Sequence, residues 1–275
     1  GALSVVFHLG LIFYGLVPAL VSRPVHMALA LPWILIFMAR TPFERWSGWV
    51  LTLLGVAGCA YIAIGHQALM QQYGFVDNPL QMTIGVFLVL LALETARRAI
   101  GWPLPLVALV ALLYGLFGDQ VPGQFGHPGI PLPSFMGTLT ISEGGLWGSL
   151  TGVSVGVVAI FVIFGAVLNA GEAGRGFMNL ASAVAGRLTG GGAKVSVISS
   201  ALMGSISGSA SANVASTGAI TIPSMVRLGY PRSLAGGVEA VASSGGQIMP
   251  PIMGAGAFVM VELTGTPYTE IMAAA

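Results

Sequence analysis

Residues 204–213 read Gly204-Ser-Ile-Ser-Gly-Ser-Ala-Ser-Ala-Asn213, and residues 243–254 read Ser243-Ser-Gly-Gly-Gln-Ile-Met-Pro-Pro-Ile-Met-Gly254. Both lie within an otherwise apolar region running from about Val195 to Met260. Each carries what a continuous apolar helix avoids: clustered glycines, hydroxyls and amides, and in the second a Pro-Pro step. In lipid, non-helical backbone survives only where protein covers it or where it lines an aqueous cavity. Two such interruptions, close together and flanked by apolar runs, point to a binding site at membrane depth.

Composition decides the class of the whole chain. Of 275 residues, 55% are hydrophobic and 7% are charged, and the mean hydropathy is +0.90. A water-soluble domain carries about 25% charged residues. This chain cannot cover a soluble surface and reads as an all-α polytopic membrane protein. A net charge of +1 with no basic stripe excludes a nucleic-acid partner. Cys59 is the only cysteine, so neither an internal disulfide nor a cysteine-based metal site is expected, and it reads as a small apolar helix residue. No signal peptide is visible, and a chain opening on Gly1 within apolar sequence and closing on Ala273-Ala-Ala275 reads as a fragment of a longer one.

A span needs about 20 residues. Apolar segments run over about 3–21, 25–39, 46–65, 80–96, 100–117 and 151–170, with the first two parted at Ser22-Arg23-Pro24. A Gly/Pro loop at 118–133 leads into an interfacial-looking piece at 134–150. Arg40 and Arg45, Arg97 and Arg98, and Arg175, Arg187 and Lys194 fall in alternate loops, whereas 67–79 and 118–150 contain no Lys or Arg. Positive loops stay cytoplasmic, so the even-numbered segments run inward and only Arg23 lies on the wrong side.

Lys194 and Arg227 then both face the cytoplasm. The roughly 32 residues between them are too few for two spans of about 20 residues and a loop. Residues 195–226 are therefore expected to form a re-entrant helical hairpin with its tip at Ser207–Asn213. From Pro231 the chain crosses outward as a discontinuous helix, 231–264, which breaks at Gly245-Gly246 and restarts at Pro250-Pro251. With the broken crossing, the expectation is about seven spanning helices plus the hairpin.

The residues quoted above also carry a resemblance. Ser207-Gly-Ser-Ala-Ser-Ala-Asn-Val214, Thr221-Ile-Pro223, Gly229-Tyr230, Gly245-Gly-Gln-Ile-Met-Pro-Pro251 and Gly254-Ala-Gly256 resemble the large membrane subunit of tripartite ATP-independent periplasmic (TRAP) transporters. The likeness extends to the fused permeases that work with TAXI-type binding proteins. It is dense from about Gly152 to Glu262 and thin before that. The resemblance implies a bacterial or archaeal inner-membrane permease coupled to sodium ions and taking an organic acid, such as a C4-dicarboxylate, from an extracytoplasmic TAXI-type binding protein. It implies half of an inverted-repeat, elevator-type carrier, completed by the remainder of the permease chain. Residues 1–117 would be scaffold helices, 118–150 an extracytoplasmic loop and interfacial helix, and 151–275 the first half of the transport region.

At the hairpin tip Ser207, Gly208, Ser209, Ser211 and Asn213 offer hydroxyl, amide and freed carbonyl oxygens to sodium or substrate. Small residues that merely let helices pack closely are the alternative reading. At the second break Ser243, Ser244, Gly245, Gly246, Gln247 and Pro250 offer the same chemistry, together with half-helix N–H groups that suit a carboxylate. A proline kink in a scaffold helix is the alternative there. Glu239 lies within the apolar crossing and is either a functional ionisable group or a partner for Arg227 or Arg232. Glu94 with Arg97 and Arg98, and Glu172 with Arg175, read as helical ion pairs.

The four histidines, His8, His26, His66 and His127, are scattered and indicate no metal or general base. No phosphate loop and no nucleophile with a base are present, so neither an ATP-driven pump nor an enzyme is expected. An ion channel, or a non-transporting membrane scaffold, are the rival functions.

Overall fold

Thr41 and Asn78 each stand before a proline and a long apolar run, and each starts a helix. Their side chains accept hydrogen bonds from the N–H groups of Glu44 (3.1 Å) and Gln81 (2.9 Å). Proline at the first helical position has no N–H to leave unsatisfied. In the computed structural model, which describes residues 1–251 and 253–275 (for Asn169, Ala173, Ala255 and Glu262 the backbone), every regular element among the described residues is helical. The chain divides into two compact units, Gly1–Val155 and Gly156–Ala275.

The first unit contains α1 (Ala2–Tyr14), α2 (Ala19–Pro32, continued by a π-helical turn Trp33–Phe37), α3 (Pro42–Ile64), α4 (His66–Met70), α5 (Pro79–Ile100), α6 (Pro103–Phe117), α7 (Leu132–Thr140) and α8 (Ser149–Val153). Its core is apolar and gathers Leu20, Leu31, Leu35, Leu88, Leu91 and Trp147. Glycines on α3 set the spacing: a Cβ at Gly55 would fall 2.5 Å from the Leu91 side chain and 2.6 Å from that of Leu31. Close backbone approach of this kind is how helices associate where lipid provides no hydrophobic drive between them.

Two expectations are corrected in this unit. The helix does not part at Ser22-Arg23-Pro24; α2 runs through these residues, and the break lies at 15–18, where Gly15 adopts φ +80°. Arg23 is thus no loop charge. Its guanidinium donates to the Trp147 carbonyl and lies 3.9 Å from Glu143. The histidines are not all scattered either. His8 Nε2 and His26 Nδ1 stand 2.8 Å apart, and His26 Nε2 is 3.1 Å from Ser154 Oγ.

Among the described residues, five helices are long and apolar enough to cross a membrane: Ala19–Phe37, Pro42–Ile64, Pro79–Ile100, Pro103–Gln120 and Ser149–Leu168. Of the about seven expected, one is the interrupted crossing described next. Another, α1, is a shorter apolar helix of 13 residues, about 20 Å at 1.5 Å per residue.

The second unit holds α9 (Ala159–Ala170), which continues α8 through a π-helical turn Ser154–Val158, then α10 (Ala173–Ala185), α11 (Gly191–Ser207), α12 (Ala210–Arg227), α13 (Arg232–Gly246), α14 (Ala255–Thr264) and α15 (Tyr268–Ala274). α11 and α12 are the two arms of the expected hairpin, and α13 packs against both. Here the interior is polar: Ser196, Ser199, Ser200, Asn213, Thr217, Thr221, Glu239 and Ser243 are all buried. The expected ion pairs of Glu94 with Arg97 and Arg98 (2.7 Å each) and of Glu172 with Arg175 (2.9 Å) are present.

Candidate functional site

α11 ends where Gly208 turns left-handed at φ +59°, its N–H donating to the Gly204 carbonyl at 3.0 Å. Only glycine meets both demands of this position. A Cβ on Gly208 would be strained at that φ and would lie 2.2 Å from the Met253 carbonyl oxygen. Ser209 is extended and caps α12, with its Oγ 3.4 Å from the Ala212 nitrogen. The hairpin turn is therefore tighter than the expected tip, 207–213, and Asn213 sits one turn inside α12.

The second crossing breaks where expected, at Gly245-Gly246, but its restart is displaced. α13 ends at Gly246, and the chain then runs irregularly to Gly254, whose N–H donates to the Gln247 carbonyl at 2.7 Å. The second half starts at Ala255 and not at Pro250-Pro251. The reason is geometric: Met253 is left-handed at φ +57° and Gly254 is extended, so regular helix resumes only beyond them.

The two interruptions meet. A Cβ at Gly204 would lie 2.4 Å from the Gly246 carbonyl oxygen; one at Gly246 would lie 2.5 Å from the Ser200 carbonyl oxygen and 2.7 Å from Asn213 Nδ2. Asn213 is fully buried, and its Nδ2 donates to the Ser200 carbonyl at 2.8 Å. Its Oδ1 has no partner among the described residues, nor has the buried Ser207 Oγ. Beside the turn lies a cavity of about 220 Å³ whose walls include Ser207, Gly208, Ser209, Met253, Phe161 and Phe258. Buried polar atoms are normally satisfied. Two orphaned oxygens beside opened backbone are the chemistry of a site that accepts a cation or a donor.

The sequence-derived candidates divide. Ser207, Gly208, Ser209, Asn213 and Gly246 lie where hairpin and break meet. Ser244 is exposed and turns its hydroxyl onto the Ala240 carbonyl at 2.9 Å. Ser211 is exposed, 3.4 Å from the Ser209 hydroxyl. Gly245 faces open space, the Gln247 side chain packs near Gly254, and Pro250 lies in the turn. Ser243 joins a different cluster.

That cluster surrounds Glu239, which is fully buried. Ser196 Oγ donates to Oε2 at 2.7 Å, and Ser200 and Ser243 donate to Oε1 at 3.2 and 3.0 Å. Thr217 and Thr221 donate to the same carboxylate. The expected alternative, a pairing with Arg227 or Arg232, is not what the structure holds: Glu239 forms no ion pair among the described residues. Ser196, Ser200, Thr217 and Thr221 are site residues that the interruptions in the sequence do not mark. The signal was there in three pairs four residues apart, Ser196/Ser200, Thr217/Thr221 and Glu239/Ser243, each on one helical face.

The chain is thus an all-helical, multi-pass membrane protein whose polar hairpin abuts a broken helix. The family model of the tripartite ATP-independent periplasmic transporter, DctM component, matches residues 87–275, and the chain belongs to that family. It is similar to the C4-dicarboxylate TRAP transporter large permease protein DctM of Pseudomonas aeruginosa, 35% identical over 94 residues, 34% of this chain and 22% of the relative. It is similar to the isethionate TRAP transporter permease protein DctMQ of Oleidesulfovibrio alaskensis, 28% identical over 175 residues, 57% of this chain and 28% of the relative. It is also similar to the 2,3-diketo-L-gulonate TRAP transporter large permease protein YiaN of Escherichia coli, 36% identical over 95 residues, 34% of this chain and 22% of the relative. The chain thus spans well under half the length of these curated relatives. No solved structure matches it.

Proposed function

We propose that this chain forms part of the inner-membrane permease of a sodium-coupled secondary transporter, fed by an extracytoplasmic binding protein of the TAXI type, that carries an organic acid. The observation that carries the reading is the meeting of hairpin turn and helix break, with Asn213 Oδ1 and Ser207 Oγ buried and unpartnered beside it. Sodium is a hard cation that takes neutral oxygens, and unwound carbonyls near half-helix ends supply them in other carriers. Asn213, Ser207 and the carbonyls around Gly246 would hold it. A carboxylate would lie toward the first turn of α14, where free N–H groups and the helix dipole favour negative charge. Two of the relatives named above bear the names of carboxylic acids. Residues 1–117 would serve as scaffold, against which the hairpin-bearing part moves.

The test is uptake into liposomes holding the permease that contains this chain, with its binding protein and a labelled carboxylate outside. Uptake should saturate with substrate and vanish when choline replaces sodium. Uptake indifferent to sodium, or unitary currents in a planar bilayer, would overturn the proposal in favour of a channel.

A further inference from the structure

Glu239 has no evident part in holding cargo, since its carboxylate is enclosed by hydroxyls, yet it draws donors from three helices. Ser196 and Ser200 come from α11, Thr217 and Thr221 from α12, and Ser243 from α13, which also bears Glu239. A carboxylate only accepts, through about four lone-pair positions, so these hydroxyls together fill it. We propose that Glu239 is the positioning residue of the site: it sets both hairpin arms in register on α13, and that register brings the Ser200 carbonyl, the Asn213 amide and Gly246 together.

The spacing along each helix supports this. Ser200 carries both functions, its hydroxyl 3.2 Å from Glu239 Oε1 and its carbonyl 2.8 Å from Asn213 Nδ2. Asn213 lies one turn from Thr217, which in turn bonds Glu239. Gly246 lies about two turns along α13 from Glu239, and Gly218 brings α12 close, since a Cβ there would sit 3.1 Å from Glu239 Cγ. A rotation of either arm that lost the carboxylate would also part Asn213 from Ser200 or Gly204 from Gly246.

The hydroxyls also have second acceptors. Thr217 Oγ1 lies 2.8 Å from the Asn213 carbonyl, and Thr221 Oγ1 lies 3.0 Å from the Thr217 carbonyl. Each hydroxyl has one proton, and a bond to an ionised acceptor is roughly twice as strong as one to a neutral carbonyl. With the carboxylate present the threonines turn across to α13; without it they turn back onto their own helix. Loss of the charge thus loosens α12 from α13 without orphaning the two threonine hydroxyls, and glutamine keeps one oxygen to accept from the serines, so a Glu239→Gln variant is expected to fold and insert while losing register.

The transport arm of the test rests on the function proposed above; the distance arm does not. In the full permease, Glu239→Gln should raise the half-saturating sodium concentration for uptake at least tenfold, with protein yield and thermal unfolding nearly unchanged. Glu239→Asp, which keeps the charge, should recover much of that loss. A purely structural residue would lower the amount of folded protein and leave the sodium dependence of the remainder alone. Independently, spin labels at exposed positions 197 on α11 and 241 on α13, in a Cys59→Ala background, should give one narrow distance distribution that broadens in Glu239→Gln. Wild-type sodium half-saturation in the Gln variant, or an unaltered distance distribution, overturns the positioning role. If wild-type permease shows no sodium dependence at all, the transport proposal fails and the distance measurement alone decides this one.

Discussion

A single methyl group distinguishes the glycines of α13. At Gly246 a Cβ would drive into the Ser200 carbonyl and the Asn213 amide, whereas at Gly236 it would meet nothing within 4 Å. Gly246→Ala should therefore lower stability by about 1–3 kcal/mol, the usual cost of overpacking, and Gly246→Leu should abolish uptake with membrane insertion intact. Gly236→Ala should raise stability by about 0.5–1 kcal/mol, because alanine loses less entropy than glycine inside a helix. Thermal unfolding in detergent separates the three; equal effects at 236 and 246 would contradict the packing described here. Asn213→Ala deletes one hydrogen bond of about 1 kcal/mol together with an oxygen proposed as a sodium ligand. Its expected signature is a modest stability loss with an at least tenfold rise in half-saturating sodium. The glycine-rich character of this stretch is plain in the sequence. Which of its glycines tolerates a side chain is not, because the answer lies in atoms 33 to 46 positions away along the chain.

At the scale of elements, one arginine ties three helical segments together. Arg98 on α5 bonds Glu94 at 2.7 Å, the Leu35 and Glu44 carbonyls at 3.1 and 2.7 Å, and Ser47 Oγ at 3.0 Å. Its side chain is only 6% exposed. Leu35 stands in the last turn before the helix ends at Phe37, where carbonyls lack intrahelical partners, so a side chain from another helix can satisfy one. Arg98→Ala should cost about 1–3 kcal/mol, the cost of leaving buried acceptors such as the Leu35 and Glu44 carbonyls unpaired, since Glu94 keeps Arg97. Arg98→Lys should not restore it, since an ammonium cannot reach four acceptors in a fixed fork; a Lys variant unfolding at the wild-type temperature would refute this.

The 118–130 loop carries a pH-dependent hold. His127 faces the Tyr114 carbonyl through Nε2 at 3.0 Å and the Pro128 carbonyl through Nδ1 at 3.2 Å. Only the imidazolium can donate to both, and Asp119 lies near, so its pKa is raised above the ordinary value. The group's contribution is complete below the unfolded pKa of about 6.5 and is lost as pH rises through the higher folded value. Hydrogen exchange in the loop, corrected for intrinsic rates, should be slower at pH 5.5 than at pH 8, and His127→Phe should erase the difference. Apolarity alone starts two helices at about 46 and 80, whereas the Thr41-Pro42 and Asn78-Pro79 caps start them at 42 and 79. The true break before α2 was masked by Pro24, which α2 tolerates near its start while a glycine at 15 does the turning.

For the molecule as a whole, alternating basic loops predict which ends face the cytoplasm. An impermeant thiol reagent added outside intact cells should modify Gln124→Cys and spare Arg45→Cys until the membrane is opened. The reverse pattern would invert the topology and place the hairpin on the other face. Membership of the permease family and the five apolar helices agree with the class that composition implies. Seven per cent charge leaves too little polar surface for water, and the glycine, serine and proline clusters at 204–213 and 243–254 mark where helices are interrupted. Those are local or summed properties, so the order of residues settles them without any fold. Where Glu239 finds its donors, and why Gly204 must lie against Gly246, depends on helices far apart in sequence coming into contact. Spacing along one helix names the face on which a side chain lies; only packing chooses what stands opposite, and here it set hydroxyls against the carboxylate where the nearby arginines had offered themselves.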